Sequence, residues 1–139
     1  MVTGITVIAA GIGHGRYRAS GGVFALAAVT AFGMALVAIV SLVALYVYEH
    51  PHHHCPFCLL KAGHGFVGYA LYIPLFLATA AALAAAVVAH WRQIPSLAKA
   101  IGQLRSRYAW TAIGLFTVFY VLSAVLILTS NLTMAEVWW

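Results

Sequence analysis

Long uncharged stretches alternate along the chain with short polar segments. Val23 to Tyr48, about Gly65 to Ala89, and about Ala109 to Thr129 contain no Asp, Glu, Lys or Arg. A helix that crosses a bilayer needs roughly 20 apolar residues at 1.5 Å rise each. All three stretches meet that length, and they predict helices because lipid offers no partner for an open peptide group. Pro74 falls inside the second, where its missing N–H predicts a kink. The same stretch is rich in alanine from Ala78 to Ala89, which predicts close packing against its neighbours.

Two further segments have weaker patterns. Met1–Gly13 is apolar but short, with no basic residue ahead of it, so it makes a poor signal peptide. It fits a half-span, an interfacial segment or the tail of a longer span. In Trp91–Tyr108, Ile94, Leu97, Ile101 and Leu104 recur at helical spacing with Arg92, Lys99, Arg105 and Arg107 between them. That pattern predicts an amphipathic helix lying on a membrane surface, with Lys99 and Arg105 toward water or headgroups and Ser96 as N-cap.

The expected fold class is therefore an all-α integral membrane protein. It has three transmembrane helices, a short apolar N-terminal segment and one amphipathic surface helix. Composition agrees: of 139 residues, 65% are hydrophobic and 6% charged, too few to clothe a soluble domain. The length allows one helical domain over 1–139 and no second globular unit. The net charge of +5 does not indicate a nucleic-acid partner, because the basic residues flank the apolar segments. The expected environment is the lipid bilayer.

Charge also predicts orientation. Arg16, Arg18, Arg92, Lys99, Arg105 and Arg107, six of the 7 basic residues, fall on one side of a three-span chain. The other side holds Lys61 and both acids, Glu49 and Glu136. By the positive-inside rule the loop at 90–108 is cytoplasmic and the loop at 49–64 is outside, in a bacterial inner membrane facing the periplasm. Trp138 and Trp139 suit the outer interface.

The outer loop carries the candidate chemistry. It reads Glu49-His50-Pro51-His52-His53-His54-Cys55-Pro56-Phe57-Cys58, with His64 following. Imidazole and thiolate together suit copper and zinc, and a C-x-x-C pair supplies two ligands from one turn. The first expectation is a metal site drawn from His50, His52, His54, Cys55, Cys58 and His64. Glu49 is a further ligand or a hydrogen-bond acceptor for a ligand imidazole. His52, His53 and His54 are adjacent on a loop, so at most two of them serve one site. Such a protein would handle metal or act as accessory subunit of a membrane complex. The second expectation is thiol–disulfide chemistry at Cys55 and Cys58. With Pro56 at the first position of a helix, Cys55 becomes its N-cap and the helix end favours a thiolate. Cys55 is then the more accessible thiol and Cys58 the deeper one. The third is a loop that docks a protein partner without chemistry.

Cys55-Pro56-Phe57-Cys58 resembles, over those four residues, the C-P-x-C turn of glutaredoxins. The architecture over roughly Leu42–Phe76 resembles the DsbB and vitamin K epoxide reductase-like membrane thiol oxidoreductases. In DsbB the cysteine pair likewise follows the first span and opens the second. That resemblance implies Cys55 and Cys58 as the catalytic pair and a quinone as electron acceptor. DsbB also has four spans, a second outer cysteine pair and an arginine shortly after the first pair. This chain has three secure spans, only Cys55 and Cys58, and Lys61 at the corresponding place.

Two other classes are weaker. Leu59 follows Cys58, so there is no C-x-x-C-H for covalent haem, and a b-type haem would need His50 to face His64 or His14 to face His90. A transport path usually needs intramembrane ionisable groups, and the spans offer only Thr30, Ser41, Thr79, Thr117 and Ser123.

Overall fold

The computed structural model describes residues 2–17, 21–49, 55–91 and 98–130. Every regular element among them is helical. In chain order these are α1 (Val2–Tyr17), α2 (Gly21–Ala38), a π-helical turn (Ile39–Val43) and α3 (Ala44–Tyr48). Two short 3-10 turns follow (Cys58–Leu60 and Ala62–His64), then α4 (Val67–His90) and α5 (Ala98–Thr129). Three helices are long and apolar enough to cross a membrane: Gly21–Tyr48 taken through its π turn, Val67–His90 and Lys99–Thr129.

Each helix packs through one stripe at the 3.6-residue period. In α4 the buried positions are Gly68, Leu71, Leu75, Ala78, Ala82 and Ala85. In α5 they include Ala109, Ala112, Phe116, Phe119 and Ser123. The alanine half of α4 packs as its composition predicts: Gly21 comes so near that a Cβ there would stand 3.2 Å from the Ala86 Cα. Small residues admit such approach without strain. Thr30, Ser41, Thr79, Thr117, Ser123 and Thr129 each donate their hydroxyl to a carbonyl in their own helix. That satisfies them without water.

The N-terminal segment is a helix packed against α5 and α2. Its buried stripe is Gly4, Val7, Gly11 and His14. A Cβ on Gly4 would meet the Tyr120 ring at 2.8 Å, and one on Gly11 would meet Ile113 at 2.8 Å. The glycines are what let α1 lie so close to α5.

The predicted surface helix requires correction. Its part from Ala98 to Tyr108 is the first third of α5, continuous with the span that follows. Lys99 is exposed as expected, but Arg105 is only 6% exposed and faces inward, while Leu104 is 42% exposed. The inward stripe at Ala109, Ala112, Phe116 and Phe119, extended one turn back, lands on Arg105. Packing within one long helix decides its direction and overrides the local amphipathic pattern. Ile94, Pro95, Ser96 and Leu97 lie outside the described residues.

Candidate functional site

At one end of the bundle α3 stops at Tyr48, and Glu49 takes a left-handed conformation (φ 52°) that ends the helix. At the same end the chain is described again from Cys55 and turns through Cys55-Pro56-Phe57-Cys58. The Cys58 N–H donates to the Cys55 carbonyl at 3.3 Å, and the turn runs directly into the 3-10 segment Cys58–Leu60. The predicted placement of the cysteines at the start of the second span is therefore corrected. The α-helix begins at Val67, so Cys55 is not its N-cap and its dipole does not act on the thiols. Gly65 and Phe66 are both left-handed (φ 63° and 57°) and set the break between turn and helix. Phe66, bulky and without glycine's freedom, holds that conformation only because the junction demands it.

Three contacts fix the turn to the bundle. The Tyr48 hydroxyl donates to the Cys55 carbonyl oxygen at 2.6 Å. The Leu59 backbone N–H in turn donates to the Tyr48 oxygen. From α4, the Tyr72 hydroxyl donates to the Pro56 carbonyl at 3.4 Å. Leu59 itself is fully buried beneath the turn.

The two sulfurs are reduced, adjacent and unequal. Cys58 donates its thiol hydrogen to the Cys55 sulfur, which holds the Cys55 thiol below its ordinary range; the N–H groups of Cys58 and Phe57 and the nearby Lys61 charge act the same way. Donating that hydrogen pushes the Cys58 thiol up, and burial adds to the rise. Of the two thiols, Cys55 therefore loses its proton first. Both residues are half-buried, so accessibility does not separate them as expected; hydrogen bonding does.

His50, His52, His53 and His54 lie outside the described residues, and of His64 only the backbone, in a 3-10 turn, is described. Among the described residues no group of three or more His, Cys, Asp or Glu comes together as a metal cage. His14 and His90 do not share an environment: His14 is sealed against Phe24 (ring centroids 5.4 Å apart), whereas His90 is exposed beside Trp91.

Sequence reasoning missed Tyr48, Tyr72 and the π turn. It also missed a shallow groove of about 170 Å³ between α2 and α5, lined by Ala35, Ala38, Leu42, Val43, Phe119 and Ala124. No local signal marks the tyrosines, because their role appears only when two helix ends meet the turn. Comparison of the chain with family models, with curated proteins and with solved structures gives no match.

Proposed function

We propose that the chain is a membrane-embedded dithiol–disulfide oxidoreductase whose working pair is Cys55 and Cys58, with a quinone as electron acceptor. The observation that carries this reading is the turn itself: two free, half-buried thiols three residues apart, closed by the Cys58 N–H on the Cys55 carbonyl, with the hydrogen bond between the sulfurs lowering the Cys55 thiol and raising that of Cys58. Thiolate is the reactive form in exchange, and the neighbouring thiol resolves the mixed disulfide. The cycle balances. The dithiol gives two electrons and two protons to the quinone, forming the Cys55–Cys58 disulfide and quinol. A dithiol on a partner protein then reduces that disulfide and leaves oxidised. The apolar groove lined by Leu42 and Val43 supports the reading, since an isoprenoid tail needs such a surface and this one lies just over a turn from Tyr48. In this reading the three long helices cross a bacterial inner membrane and the cysteine turn faces outward, where disulfides persist.

A second reading is favoured by one observation: the two sulfurs lie together in one turn, and the His50–His54 tract immediately precedes them in the sequence. Cys55 and Cys58 as thiolates, with His50, His52, His54 and His64 as candidate partners, suit copper or zinc.

One experiment separates them. The protein is purified without a tag, its metal content and free thiols are counted, and a soluble ubiquinone analogue is added to the reduced form. Loss of two thiols with one quinol formed supports the oxidoreductase. Stoichiometric metal, with thiols blocked until a chelator is added, supports the metal site. Two free thiols, no metal and no quinol formed overturn both and leave a docking loop.

A further inference from the structure

A π turn holds one residue more than an α turn, and one residue is 100° of rotation. The burial pattern of the first long helix records that rotation. Phe24, Ala28, Ala31, Ala35 and Ile39 form a regular buried stripe, and an uninterrupted α-helix would next bury position 42. Instead Leu42 is 40% exposed and Val43 is 2% exposed. Everything beyond the turn, Tyr48 included, is turned by the same angle. Ser41, inside the turn, donates to the Val37 carbonyl at 2.7 Å, giving that carbonyl a partner where the helical ladder is disturbed. In the rotated position the Tyr48 oxygen sits between the Cys55 carbonyl and the Leu59 N–H. It therefore ties together the two ends of the turn that holds both cysteines. If the same residues ran on as a plain α-helix, the phenol would point about a quarter-turn away.

We propose that the π turn at Ile39–Val43 is a register device that brings Tyr48 onto the cysteine turn, and that Tyr48 is a positioning residue for the Cys55–Cys58 pair. The clamp fixes the Cys55 carbonyl and the Leu59 amide. Between them the N–H groups of Phe57 and Cys58 are held toward the Cys55 sulfur. Tyr72 holds the adjacent Pro56 carbonyl from α4, so Tyr48 ties the turn to the first span and Tyr72 ties it to the second. The inference rests on Cys55 as the working thiolate. Its test reads the titration of that thiol, which stands whether or not the pair turns over with a quinone.

The experiment measures the alkylation rate of Cys55 against pH in the reduced, detergent-solubilised protein, with Cys58→Ser variants identifying which sulfur reacts. Tyr48→Phe keeps the ring and removes the hydroxyl. The expected result is an upward shift of the Cys55 midpoint by about half to one pH unit, the worth of roughly one net hydrogen bond. Deletion of Val40 takes out the extra residue and lets a plain α-helix run on with Tyr48 at its present angle, so the midpoint should stay parental and Tyr48→Phe should still shift it in that background. Deleting Ser41 as well turns Tyr48 about 100° away from the cysteine turn and should shift the midpoint as Tyr48→Phe does. An unchanged midpoint in Tyr48→Phe overturns the clamp, and this mild variant decides the point even where the deletion does not fold. A shifted midpoint in the folded single deletion, or a parental midpoint in the folded double deletion, overturns the register device.

Discussion

Leu59 lies against the bare backbone of Gly68. A Cβ on that glycine would stand 2.9 Å from the Leu59 carbonyl carbon and 3.0 Å from its oxygen. The backbone just after the cysteine pair thus rests directly on the first turn of α4, and no side chain can come between them. Gly68→Ala should push the turn outward at a cost of about 1–3 kcal/mol, the usual range for overpacking a filled site. The expected outcome is a lower melting temperature in detergent together with altered alkylation of Cys55. Gly63→Ala is the control: its Cβ meets nothing within 4 Å, so stability should move by no more than about 0.5 kcal/mol. Equal behaviour of the two variants would count against the contact.

The unequal thiols set a pH signature. Cys55 titrates below the ordinary thiol range and Cys58 above it. As pH falls through the Cys55 midpoint its thiolate is lost, and the alkylation rate should drop tenfold per unit. Above that midpoint the rate should reach its plateau while Cys58 is still protonated, so one thiol reacts before the other. Cys58→Ser replaces the donor and leaves Cys55 without the resolving partner, and its midpoint should rise. Two thiols that titrate together at the ordinary value would contradict the asymmetry.

Arg105 and Lys99 test the corrected reading of α5. Arg105 is buried among the helices and Lys99 is exposed. Arg105→Ala should lower the melting temperature in detergent, at about 1–3 kcal/mol, through lost packing of its long stem as much as lost charge. Lys99→Ala should change little. A surface helix with both cations outward would give two small effects of similar size.

Arg105 also marks where local pattern and tertiary packing part. The spans were legible because uncharged length has one physical meaning, and the helices around Val23–Tyr48, Gly65–Ala89 and Ala109–Thr129 appear within a few residues of those bounds at five of the six ends. The sixth, the start of α5, runs eleven residues early because helix continuity costs little once a stripe is packed. At the site, the cysteine pair was legible as a motif. Its surroundings were not, because Cys55-Pro56 opens a 3-10 turn and the long helix waits until Val67. The π turn left only a slip in the stripe from Leu42 to Val43, which one sequence cannot distinguish from ordinary scatter.

The last prediction concerns which end of the bundle faces which compartment. Arg16, Lys99, Arg105 and Arg107 belong to helix segments at one end. There Gly15 of α1 approaches Ala109 of α5: a Cβ added to Gly15 would stand 3.6 Å from that of Ala109. Lys61 stands at the other end, beside the cysteine pair. Carrying Lys or Arg through the bilayer centre costs about 2.5–3.5 kcal/mol each on insertion scales, so the end with more cations is expected to stay in the cytoplasm. Ala100 and Gly63 are exposed and lie toward opposite ends, which makes them suitable reporters. In a background with Cys55→Ser and Cys58→Ser, a membrane-impermeant maleimide should label Gly63→Cys on intact bacterial cells. Ala100→Cys should react only after the membrane is opened. The reverse pattern would put the cysteine turn in the reducing compartment, where a standing disulfide cycle has no support, and the oxidoreductase reading would fall with the orientation. Labelling of both positions on intact cells would count against a sealed spanning bundle.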